Sequence, residues 1–384
     1  MTSLLFAPSH FFPLHDSSNF TTKVILVRHG RTTYNEQGRY QGSSNESVLT
    51  AKGHQDAFST GVALQEYGID AIYTSPLKRV RQTTQEIRSA LKSPNIPIYV
   101  EPRLTEICMS DWQGLSYQEV KEQYPDAYKC WQSTPHLFTC NQINYPVLDL
   151  FKQAKAFWQS ILNQHCGQTI LIVAHGGTNR ALISTAIGSN PQNYHSWQQS
   201  NCGISCLEFP VGNNPGKLKY LNVTHHLGET LPKLKAGKTG WRWLLVSDAN
   251  AKNLIDGSFF KQLGDRNLIN LLLTNRFVPE SLTQKLATKY RIPHLSLAEN
   301  HFFSWQQTII NKQQSVTSSE LSSLTTSLII ASDELISQIL NATVNTDIVD
   351  TTDGLSVIHY PQNNSHSIIQ GILPLTPKLI PLSA

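Results

Sequence analysis

The chain has 384 residues, which is long enough for two domains of ordinary size and for two buried cores. Its net charge of +4 comes without the clustered Lys/Arg face that a nucleic-acid surface requires, so no nucleic-acid partner is expected. No apolar run approaches the roughly 20 residues that span a bilayer, so we expect no membrane partner and a cytoplasmic location. Residues 1–22 lack the basic region of a signal peptide and are predicted to form a flexible extension.

The six cysteines all lie between Cys108 and Cys206, at spacings that match no zinc or redox pattern. Even the closest pair, Cys202 and Cys206, is one residue too far apart for CxxC. We therefore expect reduced thiols rather than a disulfide framework.

The first informative stretch is KVILVRHGRTTYN, residues 23–35, in which a short β-branched run ends at Arg28, His29 and Gly30. A run that is apolar on both faces is typical of a central parallel strand. Ligands of open α/β sheets bind at the carboxyl ends of the strands. His29 is therefore predicted to lie at the ligand-binding edge.

Two later stretches repeat this pattern. In DAIYTSPLKRVRQTTQEI, residues 70–87, an apolar strand leads through Ser75 and Pro76 to a helix that carries Arg79 near its first turn. In TILIVAHGGTNRALISTAIG, residues 169–188, a buried strand is followed by His175 and by a glycine pair that opens a helix. The N-terminus of that helix favours an anion, and the two strand-end histidines are expected to share one pocket.

Arg28, Arg31 and Arg79 add positive charge around these two histidines. Planar guanidinium groups pair bidentately with phosphate oxygens, so the pattern predicts a phosphate ligand.

A metal site built from His29, His175 and Glu106 is the alternative. Arg28 adjoins His29 and would repel a cation, and no carboxylate stands beside either histidine in the sequence. We therefore predict no metal ligands.

Four motifs now carry a resemblance: VRHGRTTYNEQGRYQG, YTSPLKRVRQT, LTEICMSDWQG and VAHGGTNRALI. In this order they resemble the motifs of the histidine phosphatase superfamily, which has the phosphoglycerate mutase-like fold. The resemblance covers residue 23 to about residue 227. It implies a three-layer α/β/α domain over residues 23–227.

The resemblance also implies roles for individual residues. His29 would be the nucleophile that becomes a phosphohistidine, Glu106 would carry the proton, and His175 would complete the catalytic set beside the phosphate, most usefully as a cation. The implied substrate-binding residues are Arg28, Asn35, Gln41, Gly42, Arg79 and Gly176. No cofactor is implied, since the arginines would supply the charge that magnesium gives elsewhere.

A compact segment joins Glu106 to His175, whereas mutases of this superfamily usually carry a longer insertion there. The resemblance therefore favours a phosphatase, and YPVLDLFKQAKAFW and QQSNCGIS are most similar to the 2-carboxy-D-arabinitol 1-phosphatases. The expected substrate is a small phosphomonoester, such as a sugar phosphate or a sugar-acid phosphate, and a homo-oligomer is left open. Mutase-type phosphoryl transfer and a phosphoester sensor with little turnover are the alternatives. Glu106 argues against a sensor, because a pure binder needs no proton carrier.

The second half of the sequence repeats the first in outline. RWLLVSDAN (242–250) matches KVILVRHGR, and NLLLTNRFVPESLTQKLATKYRIPHLSLAEN (270–300) follows DAIYTSPLKR through its helix and next strand. LIIASDELISQIL (328–340) matches the His175 stretch, and DGLSVIHYPQNN (353–364) matches CGISCLEFPVGNN (202–214). Four matches in one order indicate a tandem duplication, with chance similarity to an unrelated Rossmann-like domain as the alternative.

The second copy lacks the residues of the implied site. Arg28, His29, Arg79 and His175 are replaced in turn by Ser247, Asp248, Pro279 and Ser332. The segment that carries Glu106 has no counterpart, and Asp248 and Asp333 would repel an anion. We therefore predict a linker over residues 228–240 and a smaller, degenerate and inactive copy of the domain over residues 241–384.

Overall fold

The computed structural model describes residues 21–92, 95–141, 143–210, 215–251, 254, 268–275, 278–315, 323–346, 354–362 and 366–375. Residues 1–20 of the predicted extension lie outside this part of the chain. The first strand begins at Thr21, two residues before the predicted start of the first domain. Within the described ranges, no helix is both long enough and apolar enough to cross a membrane.

Six strands form the first half of the sheet: β1 (Thr21–Arg28), β2 (Ala71–Thr74), β3 (Ile98–Val100), β4 (Thr169–Ala174), β5 (Ile204–Pro210) and β6 (Lys217–Val223). Their spatial order is β3-β2-β4-β1-β5-β6. Strands β3, β2, β4 and β1 are parallel to one another, whereas β5 runs antiparallel to β1 and β6 antiparallel to β5. The carboxyl ends of β1, β2 and β4 therefore meet at one edge.

The helices of this half are α1 (Thr33–Gln37), α2 (Ala51–Ala63), α3 (Lys78–Ala90), α4 (Tyr117–Gln123), α5 (Pro125–Ser133), α6 (Pro146–Gln164) and α7 (Gly176–Ala186). Helices α4 and α5 belong to the segment between β3 and α6, which includes Glu106. Helix α7 begins directly after the residue that follows β4, as the glycine pair predicts.

Successive residues of β1 enter different cores. Val24 and Leu26 belong to one hydrophobic cluster, with residues of α6 and α7, whereas Ile25 and Val27 belong to another, with residues of α3. Side chains of a strand alternate between the faces of a sheet, so both faces are covered by helices. The predicted three-layer α/β/α fold is confirmed.

The second half contains β7 (Gly240–Ser247), β8 (Leu271–Asn275), β9 (His294–Leu297), β10 (Leu324–Ala331), β11 (Gly354–Tyr360) and β12 (Ile368–Pro374). Its helices among the described residues are α8 (Glu280–Tyr290), α9 (Glu299–Ser315) and α10 (Asp333–Val344). The strand order read inward from the far edge is β9-β8-β10-β7-β11-β12, which repeats the order of β3-β2-β4-β1-β5-β6. Where the first half inserts α4 and α5, β9 is followed almost at once by α9.

The two halves form one sheet of twelve strands, because β6 pairs with β12 at its centre. The junction is antiparallel and places Leu221 opposite Ile372. Beside this pair, Asn222 is buried and its Nδ2 donates to the carbonyl oxygen of Gln370 at 2.7 Å. Both hydrophobic clusters also contain residues of both halves, so the cores are continuous across the junction.

Candidate active site

His29 follows β1 and is held by the backbone. Its N–H donates to the carbonyl oxygen of Ala174 at 2.9 Å, which fixes the end of β1 beside the end of β4. Its side chain is 2% exposed, and Nδ1 lies 2.8 Å from the carbonyl oxygen of Gly30. Because a carbonyl can only accept, Nδ1 carries the hydrogen. The lone pair of the neutral imidazole is therefore on Nε2.

His175 follows β4 and lies beside His29. The two ring centroids are 5.3 Å apart with the rings near perpendicular, and His175 is fully buried. Its Nε2 lies 2.8 Å from the hydroxyl oxygen of Ser75, which follows β2. Its Nδ1 has no hydrogen-bond partner among the described residues. Three strand ends thus converge on one point, as the sequence predicts for the two histidines.

Backbone carbonyl oxygens anchor both predicted phosphate-binding arginines. Arg28 Nη1 donates to the carbonyl oxygen of Gln199 at 2.8 Å. Arg79 is fully buried, and its Nη1 and Nη2 donate to the carbonyl oxygens of Ser44 and Gly42 at 2.6 and 2.7 Å. The Nε atoms of both guanidinium groups have no hydrogen-bond partner in the described chain. Each arginine therefore has a buried Nε–H group that can donate a hydrogen bond to an anion.

The electrostatics of the pocket keep both histidines neutral. Burial, followed by the charges of Arg28 and Arg79, lowers the pKa of His29 well below its usual value. Burial, Arg79, His29 and Arg28 lower the pKa of His175 in the same way. Burial also lowers the pKa of Arg79, to about 10, which leaves it charged at pH 7. The sequence favours His175 as a cation, whereas these effects favour its neutral form in the free protein. A bound anion would oppose them.

Glu106 occupies the N-terminus of α7. Its carboxylate accepts from the backbone N–H groups of Gly177 and Thr178, both at 3.1 Å, and from that of Ile107 at 2.9 Å. The sequence predicts an anion at this helix end, and the structure places the protein's own carboxylate there. Gly177 is required for this approach, because a Cβ atom there would lie 2.4 Å from Glu106 Oε1.

Asn35 and Gln41 meet at the hydroxyl of Thr32. This hydroxyl lies 3.1 Å from Asn35 Oδ1 and 3.0 Å from Gln41 Oε1. Asn201 Nδ2 donates to Asn35 Oδ1 at 3.0 Å and to the carbonyl oxygen of His29 at 3.0 Å. Asn35 is thereby tied to the backbone of His29 through Asn201, with its Oδ1 used as an acceptor.

The two predicted glycines permit close approach in different ways. Gly42 has a φ of +50°, and its carbonyl oxygen holds Arg79. Gly176 begins α7 against Arg28, where a Cβ atom would lie 3.3 Å from Nε. A side chain at residue 176 would therefore crowd the unpaired Nε–H group of Arg28.

Arg31 does not join Arg79 in the buried pocket. Arg31 Nε forms an ion pair with Glu36 Oε1 at 3.3 Å, and its side chain is 43% exposed, unlike the buried Arg79.

The metal alternative and the cysteines concern other residues. Among the residues that the structure describes, no group of three His, Cys, Asp or Glu side chains could hold a metal ion. All six cysteines are free thiols, as predicted.

Sequence reasoning missed three residues that hold the site together. Ser75 contacts His175, the carbonyl oxygen of Gln199 fixes Arg28, and Asn201 bridges His29 and Asn35. The position of Ser75 at the carboxyl end of a strand was an available signal. Gln199 acts through its backbone carbonyl, which every residue type has, so the sequence contains no signal for this role.

A cavity of about 260 Å³ borders Glu106. Its lining includes the hydroxyl and amide side chains of Ser43, Thr105, Ser110, Asn141, Asn144 and Gln153. Hydroxyl and amide groups of this kind suit a ligand with several hydroxyl groups.

Comparisons with known proteins agree with this geometry. Residues 24–224 match the family model described as "Histidine phosphatase superfamily (branch 1)". The chain is 42% identical over 189 residues to a "Probable 2-carboxy-D-arabinitol-1-phosphatase" of Arabidopsis thaliana, covering 49% of this chain and 38% of that protein. It is 37% identical over 240 residues to the "2-carboxy-D-arabinitol-1-phosphatase" of Triticum aestivum, covering 62% of this chain and 48% of that protein. The matched region thus spans less than half the length of either plant relative.

A shorter relative is covered almost completely. The chain is 31% identical over 207 residues to "Phosphoserine phosphatase 1" of Hydrogenobacter thermophilus, which covers 54% of this chain and 95% of that protein. The family model, whose match has the bounds 24–224, covers His29, Glu106 and His175.

The lowered pKa values of His29 and His175 predict an acid-sensitive fold. An unfolded histidine takes up a proton as the pH falls through about 6.5, whereas these two do not in the folded protein. The unfolded state then binds more protons, so the free energy of unfolding should fall below pH 6.5. Replacing His175 by Gln should make this slope shallower by up to about 1.4 kcal/mol per pH unit. Urea unfolding at pH 7.5, 6.5 and 5.5 in phosphate-free buffer tests this, and an unchanged slope would contradict it.

Proposed function

We propose that this chain, which belongs to the histidine phosphatase superfamily, is a metal-independent phosphomonoesterase that works through a phosphohistidine intermediate. The observation that carries the proposal is the tautomer of His29. Its Nδ1 hydrogen is held by the carbonyl of Gly30, which leaves a neutral, buried Nε2 beside two anchored arginines. A neutral imidazole nitrogen is a nucleophile, whereas a protonated one is not.

The first step forms the phosphoenzyme. His29 Nε2 attacks phosphorus while the bond to the ester oxygen breaks, and Glu106 in its protonated form gives a proton to the departing oxygen. Arg28, Arg79 and neutral His175 bind the equatorial oxygens, where negative charge is greatest. The charges of the two arginines are worth more in this buried pocket than in water.

The second step returns the enzyme to its starting state. Glu106, now ionised, takes a proton from water, the water oxygen attacks phosphorus, and the bond to His29 Nε2 breaks. Orthophosphate leaves and neutral His29 is restored. One carboxyl group serves as acid and then as base, so the cycle needs neither a second carboxylate nor a metal.

The substrate that we propose is a small phosphorylated metabolite, of the sugar-phosphate or sugar-acid-phosphate class. Two relatives bear names that specify 2-carboxy-D-arabinitol 1-phosphate, which is such a compound. The polar cavity beside Glu106 supports this class, because its hydroxyl and amide groups match a polyhydroxylated leaving group. We propose a cytoplasmic location for this activity.

The alternatives are a mutase and a sensor. A mutase would return the phosphoryl group to a second hydroxyl before water enters, and a sensor would bind the ester without turnover. Glu106 favours turnover, because three backbone N–H groups hold its carboxylate at the border of the substrate cavity. Product analysis separates a mutase from a phosphatase, since only the phosphatase releases orthophosphate.

We further propose that residues 241–384 are an inactive copy of the domain formed by residues 23–227, joined to it by residues 228–240. The repeated strand order supports a duplication. At the edge where the first half has its histidines, the second half has Ser247, Asp248 and Ser332. Ser332 donates to Glu299 Oε1 at 3.1 Å, and Asn275 donates to the same oxygen at 3.2 Å. These three described side chains hydrogen-bond to one another, and the described residues at the positions of Arg28, His29 and His175 carry no positive charge.

The nucleophile assignment predicts a trapped intermediate. Rapid quench with a ³²P-labelled substrate, with EDTA present, should yield an acid-labile, base-stable phosphoprotein. His29→Ala should abolish the label, because the neighbouring imidazole of His175 already has its Nε2 engaged by Ser75. Glu106→Gln is the matched control: the label should form more slowly and also persist longer, since both proton transfers are impaired.

Two outcomes of that experiment would overturn the proposal. Label that persists in His29→Ala would place the nucleophile elsewhere. Turnover that EDTA abolishes and zinc or magnesium restores would replace the arginine-based mechanism by a metal-centred one.

The proposed inactive copy predicts silent substitutions in the second half. Asp248→Ala and Ser332→Ala should leave kcat and KM within about twofold of the parent, because neither residue lies near His29. Ser332→Ala should still lower the stability by about 1 kcal/mol, because its hydroxyl caps α10 by accepting from the N–H of Leu335. Loss of hydrolysis with an intact circular dichroism spectrum would show that the second half supplies chemistry.

A further inference from the structure

We propose that Lys235, in the segment between the two halves, is a substrate-recognition residue that binds a carboxylate group of the phosphomonoester. This inference rests on the proposed phosphatase function and makes its substrate class more specific. Lys235 lies beyond residue 224, where the match to the family model ends. The role would therefore lie outside the region that matches the family model.

The evidence begins with a shared acceptor. Lys235 Nζ donates to the carbonyl oxygen of Gln199 at 2.5 Å, and Arg28 Nη1 donates to the same oxygen at 2.8 Å. One carbonyl oxygen therefore holds an ammonium and a guanidinium side by side. Lys235 is nevertheless exposed as a residue, while protein atoms surround its ammonium.

The segment that carries Lys235 is fixed in place. The carbonyl oxygen of Lys233 accepts from Gln198 Nε2 at 3.0 Å, and Lys233 Nζ forms an ion pair with Glu229 at 2.6 Å. The backbone N–H of Gln198 donates in turn to the carbonyl oxygen of Ile369 in β12. A lysine two residues from a fixed backbone position, with its own Nζ bound to a carbonyl oxygen, loses less freedom when it binds a ligand.

A third cation, Arg180, stands near the other two. Its Nε donates to the carbonyl oxygen of Trp197 at 2.8 Å, and its guanidinium lies 5.5 Å from the ring centroid of Tyr194. Protein atoms around the ammonium, followed by the charges of Arg28 and Arg180, lower the pKa of Lys235. The charge of Lys235 is also among those that lower the pKa of His29, which places it close to the nucleophile.

The balance of charge indicates what would bind there. Arg28, Arg79, Arg180 and protonated Lys235 carry four positive charges, and Glu106 adds no negative charge in the protonated form that the first step requires. A phosphomonoester dianion neutralises two of the four. The remaining positive charge favours a further anionic group on the ligand, and a carboxylate is the group that the proposed sugar-acid-phosphate class carries. A carboxylate beside Lys235 would also counter the repulsion from Arg28 and Arg180.

Matched ligand pairs test this role. Phosphoserine and phosphoethanolamine differ in a carboxylate, as do 3-phosphoglycerate and glycerol 3-phosphate. Lys235→Met should lower kcat/KM for the carboxylated member by about tenfold to a hundredfold, the value of a hydrogen bond between charged groups. The other member should change less than about threefold, and Lys235→Arg should restore part of the loss. Lys238→Met, which removes an exposed lysine of the same segment, should leave both members unchanged.

A binding measurement separates this inference from the proposed function. In the His29→Ala background, calorimetry gives the affinity for each member without turnover. A preference for 3-phosphoglycerate over glycerol 3-phosphate that disappears in His29→Ala/Lys235→Met supports the inference even if no phosphatase activity is found. An equal effect of Lys235→Met on both members would mean that Lys235 only braces Gln199, and the inference would fail. Absence of turnover with every phosphomonoester would count against the phosphatase function alone.

Discussion

Two guanidinium groups held by backbone carbonyls, rather than by carboxylates, are the constraint on which the rest of the site depends. Arg28 is fixed by Gln199, and Arg79 by Gly42 and Ser44. A carbonyl orients a guanidinium without cancelling its charge, whereas a carboxylate would form an ion pair and remove the attraction for an anion. Burial first, and then the same uncancelled charge, lowers the pKa of His29 and favours its neutral form. The arginines therefore serve the proposed phosphate binding and also contribute to keeping His29 neutral.

This arrangement gives the second half of the chain a physical role even without its own chemistry. Residues 197–201 supply the carbonyl that holds Arg28 and the amide that holds His29, and they lie against β12. Trp197 forms a bridge with Ile369, and Gln370 Nε2 donates to Gln198 Oε1 at 3.3 Å. Strand β12 of the second half thereby supports the candidate active site of the first half.

The sequence was informative where chemistry resides in side chains at strand ends. Strand 24–27, followed by Arg28 and His29, and strand 170–174, followed by His175, predict both the parallel sheet and the meeting of the two histidines. The repeated strand pattern of residues 242–246 and 328–331 likewise predicts β7 and β10. These features are local, and hydrophobic periodicity reports local features well.

What the sequence did not reveal depends on the backbone or on distant pairing. The carbonyl of Gln199 could belong to any residue type, so its role has no compositional signal. The β6–β12 junction pairs Leu221 with Ile372, two residues that are far apart in the sequence. Nothing in the local sequence of either strand distinguishes it from an unpaired edge strand. The sequence therefore suggested two separate units, whereas the structure has one sheet. The sequence likewise places Lys235 in a linker, because its partner, the carbonyl oxygen of Gln199, is distant in the sequence.

A crystal structure of the full chain with orthovanadate would test the central claim most directly, because vanadate adopts the five-coordinate geometry of phosphoryl transfer. The account predicts a bond from vanadium to His29 Nε2, with Nε of Arg28 and Nε of Arg79 donating to the equatorial oxygens and both arginines still held by their carbonyls. Vanadate bonded to another residue, or bound without either guanidinium, would contradict it.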